Sequence, residues 1–284
     1  MAATLMDGKA LAARVRAEVA EEVRELGELG LATVLVGDDP ASDVYIRLKH
    51  KAAEEAGIRA LDRRLPAATS EAEILELVAE LNEDETIDGI LVQTPLPAHM
   101  DEITVTDAVA AEKDVDGFNP LNTGRLYRGR PTLVPATAAG VMRLLDEYEI
   151  ALAGRHAVVV GRSDRVGKPL AHLLLQRNAT VTVCHSRTAE LAEHTRAADV
   201  LVVAVGRAGL VSAEMVKSGA TVVDVGMNRG DEGLVGDVDP AAAERTAYFT
   251  PVPGGVGPMT IAMVLANTVR AARFRRGSLA FPRA

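Results

Sequence analysis

Tyr45 and Lys49 stand four residues apart in ASDVYIRLKHKAAEEAG, residues 41–57. A helix there sets the phenol and the amine on one face, a turn apart. A lysine does proton chemistry only when partial burial favours its neutral form; otherwise the pair is a solvated patch of helix surface. Gln93 closes the apolar run IDGILVQ, residues 87–93. It falls at the carboxyl end of an expected buried strand, the edge where α/β sheets bind ligands, and a strand-end cap is the plainer alternative. KDVDGFNP puts Asp114 and Asp116 beside a glycine turn, available for chemistry or for an Asx-type turn.

A second group of residues points to a dinucleotide. GRSDRVG, residues 161–167, follows an expected strand and opens an expected helix. That is the place of a phosphate loop, where helix N–H groups face an anion. Its Gly161, Arg162, Ser163 and Gly167 depart from the GxGxxG spelling, because Ser163 replaces the second glycine and Gly167 comes one residue late. Alone, the segment equally fits an ordinary strand–helix turn. The next strand ends in Cys184-His-Ser-Arg187, without the carboxylate that binds ribose hydroxyls in NAD sites. Ser186 and Arg187 occupy that place. A carboxylate there repels a 2′-phosphate and an arginine attracts it, so NADP is expected rather than NAD; a solvated Arg187 is the alternative. His156 and His185 lie beside strands and carry no assigned chemistry, and no metal-ligand spacing is present.

FTPVPGGVGPMT, residues 249–260, packs three prolines and three glycines ahead of an apolar helical run. Pro258 sits where a helix tolerates proline. Gly254 and Gly255 remove side chains where backbone could approach a flat ligand, so Gly255→Val is expected to impair binding more than stability.

These segments need a frame. Helical periods are expected over 10–26, 41–57, 69–85 and part of 101–111, with Thr69 or Ser70 as an N-cap candidate. Apolar strands are expected at 31–37 and 87–93, and residues 112–131 show no clear period. From Pro135 strands and helices alternate regularly, the pattern of a parallel α/β sheet. The fold class is α/β, with two domains for 284 residues. Residues 1–134 plus 258–284 form one domain and 135–257 form a Rossmann-type domain with a parallel sheet.

Composition narrows the function. A net charge of −9 disfavours nucleic acid and anionic membrane as partners. The single cysteine permits no internal disulfide and no multi-cysteine metal site, as expected for a cytoplasmic protein. MAATLMDGKALAARV lacks the basic and apolar regions of a signal peptide. No apolar run is long enough to span a bilayer.

YIRLK, DGILVQTPLP, EKDVDGFNP, GRSDRVGKP, DVGMNR, GDVD and TPVPGGVGPMT occur in this order. Over nearly its whole length the chain closely resembles the FolD family, the bifunctional methylenetetrahydrofolate dehydrogenase/cyclohydrolases. The resemblance implies two α/β domains with a folate cleft between them, and a homodimer. It implies NADP-dependent oxidation of 5,10-methylenetetrahydrofolate to the methenyl form, then hydrolysis to 10-formyltetrahydrofolate. Tyr45 matches the tyrosine that stacks on the folate ring, Lys49 the essential lysine, Gln93 the glutamine beside it, and Asp116 the carboxylate holding the pterin. Gly254, Gly255 and Pro258 match the wall shared by folate and nicotinamide. Gly161, Arg162 and Ser163 match the NADP phosphate loop, Ser186 a residue near the 2′-phosphate, and Met227 an isoleucine whose backbone meets the cofactor. Thr94, Ala136 and Ala138 depart from the family pattern, which puts fine substrate positioning in question. The alternatives are a monofunctional dehydrogenase and a non-catalytic folate- or NADP-binding protein; the presence of Lys49 and Gln93 favours two activities.

Overall fold

The computed structural model describes residues 3–231 and 233–282. In chain order its elements begin with β1 (Thr4–Leu5), α1 (Gly8–Leu26), β2 (Leu29–Val36), α2 (Pro40–Glu55), β3 (Ile58–Leu65), α3 (Glu71–Glu83), β4 (Gly89–Val92), α4 (Glu102–Asp107) and α5 (Pro120–Tyr127). There follow α6 (Ala136–Glu147), β5 (His156–Val160), α7 (Gly167–Gln176), β6 (Thr180–Cys184), α8 (Leu191–Arg196), β7 (Val200–Val203) and β8 (Thr221–Asp224). The chain ends with β9 (Asn228–Gly230), β10 (Gly233–Val235), β11 (Tyr248–Phe249) and α9 (Val256–Arg275).

They form two compact units. One takes the residues through Ala13 with Thr137–Thr260; the other takes Arg14–Ala136 with the residues from Ile261 on. From sequence, residues 1–134 are expected together. Here β1 pairs in parallel with β11, so the amino terminus groups with the larger sheet. A two-residue strand leaves no period to read.

In the Arg14–Ala136 unit, β3, β2 and β4 form a parallel three-stranded sheet with β2 central. Every residue of β2, LGLATVLV, is buried, as a strand covered on both faces requires. Its alternate side chains supply two cores. Leu29 and Leu31 pack with Val19, Ala53, Leu91, Leu265 and Val269; Ala32, Val34 and Val36 pack with Ile74, Val78, Ile90 and Val105. Helix α3 begins at a capping box, in which the Ser70 hydroxyl accepts from Glu73 N–H and the Glu73 carboxylate accepts from Ser70 N–H. Ser70, not Thr69, is therefore the N-cap. The segment 112–131 is not irregular throughout. It contains α5, started by Asn119, whose side chain accepts from Leu121 N–H, and by Pro120 in the first turn. An asparagine cap followed by proline is a legible helix start, and eight residues are too few to show a strong period.

The other unit holds a six-stranded parallel sheet in the order β1-β11-β8-β7-β5-β6. Helices follow most of its strands, the Rossmann-type winding expected from the alternation. β9 and β10 form a separate antiparallel hairpin, and the connection from β7 to β8 contains a 3-10 turn, Ala213–Met215.

One buried charge fastens the smaller sheet to the end of α9. Asp88, 2 % exposed, accepts from Gly30 N–H at 3.0 Å and from Arg275 at 2.8 Å, with Arg276 at 3.4 Å. Removing the carboxylate leaves the Gly30 N–H without its acceptor and a mostly buried guanidinium without its ion pair, held only by the Ile87 and Glu85 carbonyls. Asp88→Ala is expected to destabilise the protein by about 2–4 kcal/mol, read from the midpoint of urea denaturation, with Asp88→Asn losing less.

Candidate active site

Helix α2 carries Tyr45 and Lys49. It starts at Asp39, whose carboxylate accepts from Ser42 N–H, with Pro40 in the first turn. Lys49 is only 7 % exposed, so it is not a solvated surface lysine. Its Nζ donates to Gln93 Oε1 at 3.0 Å. Gln93 lies one residue beyond β4; its N–H donates to Val34 O at 2.8 Å, prolonging the ladder with β2. Its Nε2 donates to Thr94 O at 2.9 Å, so the amide is held at both ends.

The two aspartates have different tasks. The segment before Asp116 leans on β4, where Ile90 N–H donates to Lys113 O and Ile90 bridges Asp114. Asp114 accepts from Gly117 N–H, Asn119 N–H and Asn122 Nδ2 at 2.7–2.9 Å. It is the Asx-type anchor of the turn, and burial pushes its carboxyl up to about 6. Asp116, two residues on, is instead coupled electrostatically to Lys49. Burial lowers the Lys49 pKa, and the Asp116 charge partly restores it. Burial also raises Asp116, against the opposing pull of Lys49. Tyr45 is half-buried, and burial raises its phenol. Lys49, Gln93 and Asp116 thus form one electrostatic group. Thr94 belongs to it through its carbonyl. Ala136 and Ala138 are buried and serve packing.

In the other unit, a cavity of about 450 Å³ opens at the carboxyl ends of β5, β6 and β7. Gly161, Arg162, Ser186, Val205 and Arg207 line it, with Leu191 and Leu210 as apolar walls. The turn from β5 into α7 is built for close approach. A Cβ at Gly161 would lie 2.4 Å from Ala204 O, and one at Gly167 would lie 2.1 Å from Gly161 O. Ser163 holds this turn, its Oγ accepting from Val166 N–H at 3.1 Å. A basic, partly apolar cavity beside such a turn fits the phosphate-bearing end of a dinucleotide.

Arg187 does not occur among the described lining residues. It is exposed, and its N–H donates to His185 Nδ1. The second arginine on the cavity is Arg207, which sequence spacing does not reveal because it arrives from β7. Met227 also lies off the described lining; its sulfur is 3.1 Å from where a Cβ at Gly257 would be. Cys184, the only cysteine, ends β6 buried, and burial pushes its thiol up.

The segment 249–260 is more self-packed than its composition implies. Helix α9 starts at Val256, so Pro258 lies in the first turn, where no N–H partner is lost. A Cβ at Gly255 would lie 2.7 Å from Pro251 O and 2.8 Å from Thr250 Cβ. The missing side chain therefore makes room for the loop itself. Gly255→Val disturbs the loop's own packing, contrary to the expectation of a mainly ligand-side effect. Gly254 is different: its φ is +112° and its nearest neighbour, Pro251 Cγ, is 3.8 Å away. Tyr45, Lys49, Gln93 and Asp116 thus belong to one unit, and Gly254, Gly255, Pro258 and the dinucleotide residues to the other.

No helix among the described residues is long and apolar enough to cross a membrane, and no group of three or more potential metal ligands occurs among them. Comparison with known proteins gives one consistent answer. Residues 6–116 match the tetrahydrofolate dehydrogenase/cyclohydrolase catalytic domain, and residues 135–276 match the NAD(P)-binding domain of the same family. The bifunctional protein FolD of Moorella thermoacetica is 57% identical, over 96% of this chain and 100% of its own length. The crystal structure of the bifunctional enzyme FolD from Campylobacter jejuni is similar at 48% identity, covering 96% of this chain and 100% of that one, with a TM-score of 0.94. The Trypanosoma brucei FolD structure, complexed with NADP cofactor and inhibitor, is 41% identical, covers 99% and 100% of the two chains, and has a TM-score of 0.93. With both domains matched and more than half the residues shared with a full-length relative, the chain belongs to the tetrahydrofolate dehydrogenase/cyclohydrolase family.

Proposed function

We propose that this chain oxidises 5,10-methylenetetrahydrofolate to 5,10-methenyltetrahydrofolate with NADP⁺ and hydrolyses the product to 10-formyltetrahydrofolate. The observation that carries the two-step reading is the buried Lys49 amine, fixed by Gln93 and coupled to Asp116. A dehydrogenase alone has little use for a desolvated amine, because hydride loss mainly demands orientation.

NADP⁺, when bound, supplies the hydride acceptor. Gly161, Arg162 and Ser186 would hold it, with Ser163 and Gly167 shaping the turn. Tyr45 offers an aromatic face for the folate ring, and Asp116 offers two oxygens to the pterin's donor edge.

Hydrolysis depends on the chain's own groups. Water adds to the methenyl carbon and must lose a proton. Lys49 is suited to take it, because burial enlarges its neutral fraction. Gln93 Oε1 accepts one of its N–H bonds and so fixes the direction of the lone pair. Ring opening at the neighbouring nitrogen leaves the formyl group on N10 and releases one proton overall. A homodimer and a cytoplasmic location accompany this reading. The first rests on family likeness and is checked by light scattering; the second follows the use of a single, unpaired cysteine.

Lys49→Ala is expected to lower cyclohydrolase turnover by about 10²-fold or more; full retained activity would remove the assignment. The Asp116 charge raises the Lys49 pKa, so taking it away lets the pKa fall further. Asp116→Asn should therefore shift the rising limb of the cyclohydrolase kcat–pH profile to lower pH; a shift upward contradicts the coupling. Arg162→Ala should raise KM for NADP⁺ by about tenfold while changing KM for NAD⁺ little, as measured by initial rates with each cofactor.

A further inference from the structure

The sequence GDVD, residues 236–239, has no part in the chemistry above, yet its first aspartate is one of the most heavily bonded side chains in the protein. Asp237 is 0 % exposed. Its Oδ2 accepts from Val205 N–H at 2.7 Å and Gly206 N–H at 2.9 Å; its Oδ1 accepts from Arg207 N–H at 2.7 Å and Asn228 Nδ2 at 2.9 Å. Three consecutive N–H groups converging on one point, with Gly206 at φ +64°, form a nest of the kind that binds anions. Here an internal carboxylate fills it.

The surroundings leave Asp237 no freedom. Its own N–H donates to Asp224 Oδ1 at 2.9 Å, as does Gly226 N–H, while Val238 N–H donates to Asp224 Oδ2. A Cβ on Gly226 would lie 2.3 Å from Asp237 Cγ, and one on Gly236 would lie 1.8 Å from Asp224 Oδ2. Two carboxylates are thus packed side by side, a costly arrangement. Apolar side chains could close this space only by leaving the Val205, Gly206 and Arg207 N–H groups without their acceptor. What the carboxylate adds is a fixed shape for 205–207, and that segment is a wall of the cavity holding Arg162 and Ser186.

We infer that Asp237 is a positioning residue for the NADP site: it fixes the 205–207 wall and occupies that wall's anion nest. Cofactor phosphates are thereby directed to Arg162 and Ser186. This rests on the NADP-dependent reading given above. Asp237→Asn keeps the shape but removes the charge and, in either amide orientation, turns an N–H₂ group towards donors that now meet a carboxylate oxygen. Calorimetric titration with NADP⁺ should show Kd weakened by about tenfold or more, the scale of a lost charge-assisted bond, with KM for NADP⁺ rising in step. Cyclohydrolase turnover of methenyltetrahydrofolate, which consumes no nicotinamide cofactor, counts the folded fraction in the same preparation. Asn228→Ala removes one of the four bonds and should weaken NADP⁺ binding in the same direction by about threefold. It decides the matter if Asp237→Asn does not fold. A Kd within error of wild type in Asn228→Ala, or within about twofold in a folded Asp237→Asn, overturns the role. Failure of the wild-type protein itself to bind NADP⁺ would instead overturn the functional reading on which it rests.

Discussion

The strands of both main sheets run parallel, and much follows from that. Parallel strands finish at the same edge, so residues just past a buried strand gather there whatever their distance in sequence. Gln93 follows β4, Gly161 follows β5, Ser186 comes two residues after β6, and Val205–Arg207 follow β7. Asp224 is itself the last residue of β8. The apolar strands make these edges dry, and dryness is what gives the few polar groups there their strength.

Dryness also sets the electrical problem each unit solves. Near Lys49 it disfavours the ammonium, and near Asp116 it disfavours the carboxylate. Each charge reduces the other's penalty, so the downward push of burial on Lys49 is partly offset by Asp116. In the other unit two carboxylates share one dry place, and there backbone N–H groups supply the compensation. Burial pushes Asp224 up to about 6 even so. The first arrangement keeps a group able to exchange a proton; the second holds backbone in place.

Local spacing made part of this legible. Tyr45 and Lys49 are four apart on a helix, and Gln93 ends an apolar run, so each could be named from the sequence. Spacing alone left Asp114 and Asp116 open and only the family resemblance named Asp116, because the difference depends on which one meets Asn119 and Asn122 after the chain turns. Arg187 has the right spacing but faces solvent, while Arg207 reaches the cavity from another strand. Asp237 meets 205–207 across about thirty residues, a distance that leaves no periodic trace. The alternation of strands and helices disclosed the fold class because periodicity is local; β1 and α5 were too short for it.

Cys184 lends the molecule an unintended property. It sits at the end of β6, which among the described strands is an edge strand paired with β5, two residues before Ser186. A buried, protonated thiol is inert to alkylating reagents and oxidants. Modification must therefore wait for that margin of the sheet to open. With no other cysteine in the sequence, the pace of thiol labelling is a native clock for breathing beside the cavity at the ends of β5, β6 and β7, requiring neither dye nor engineered residue.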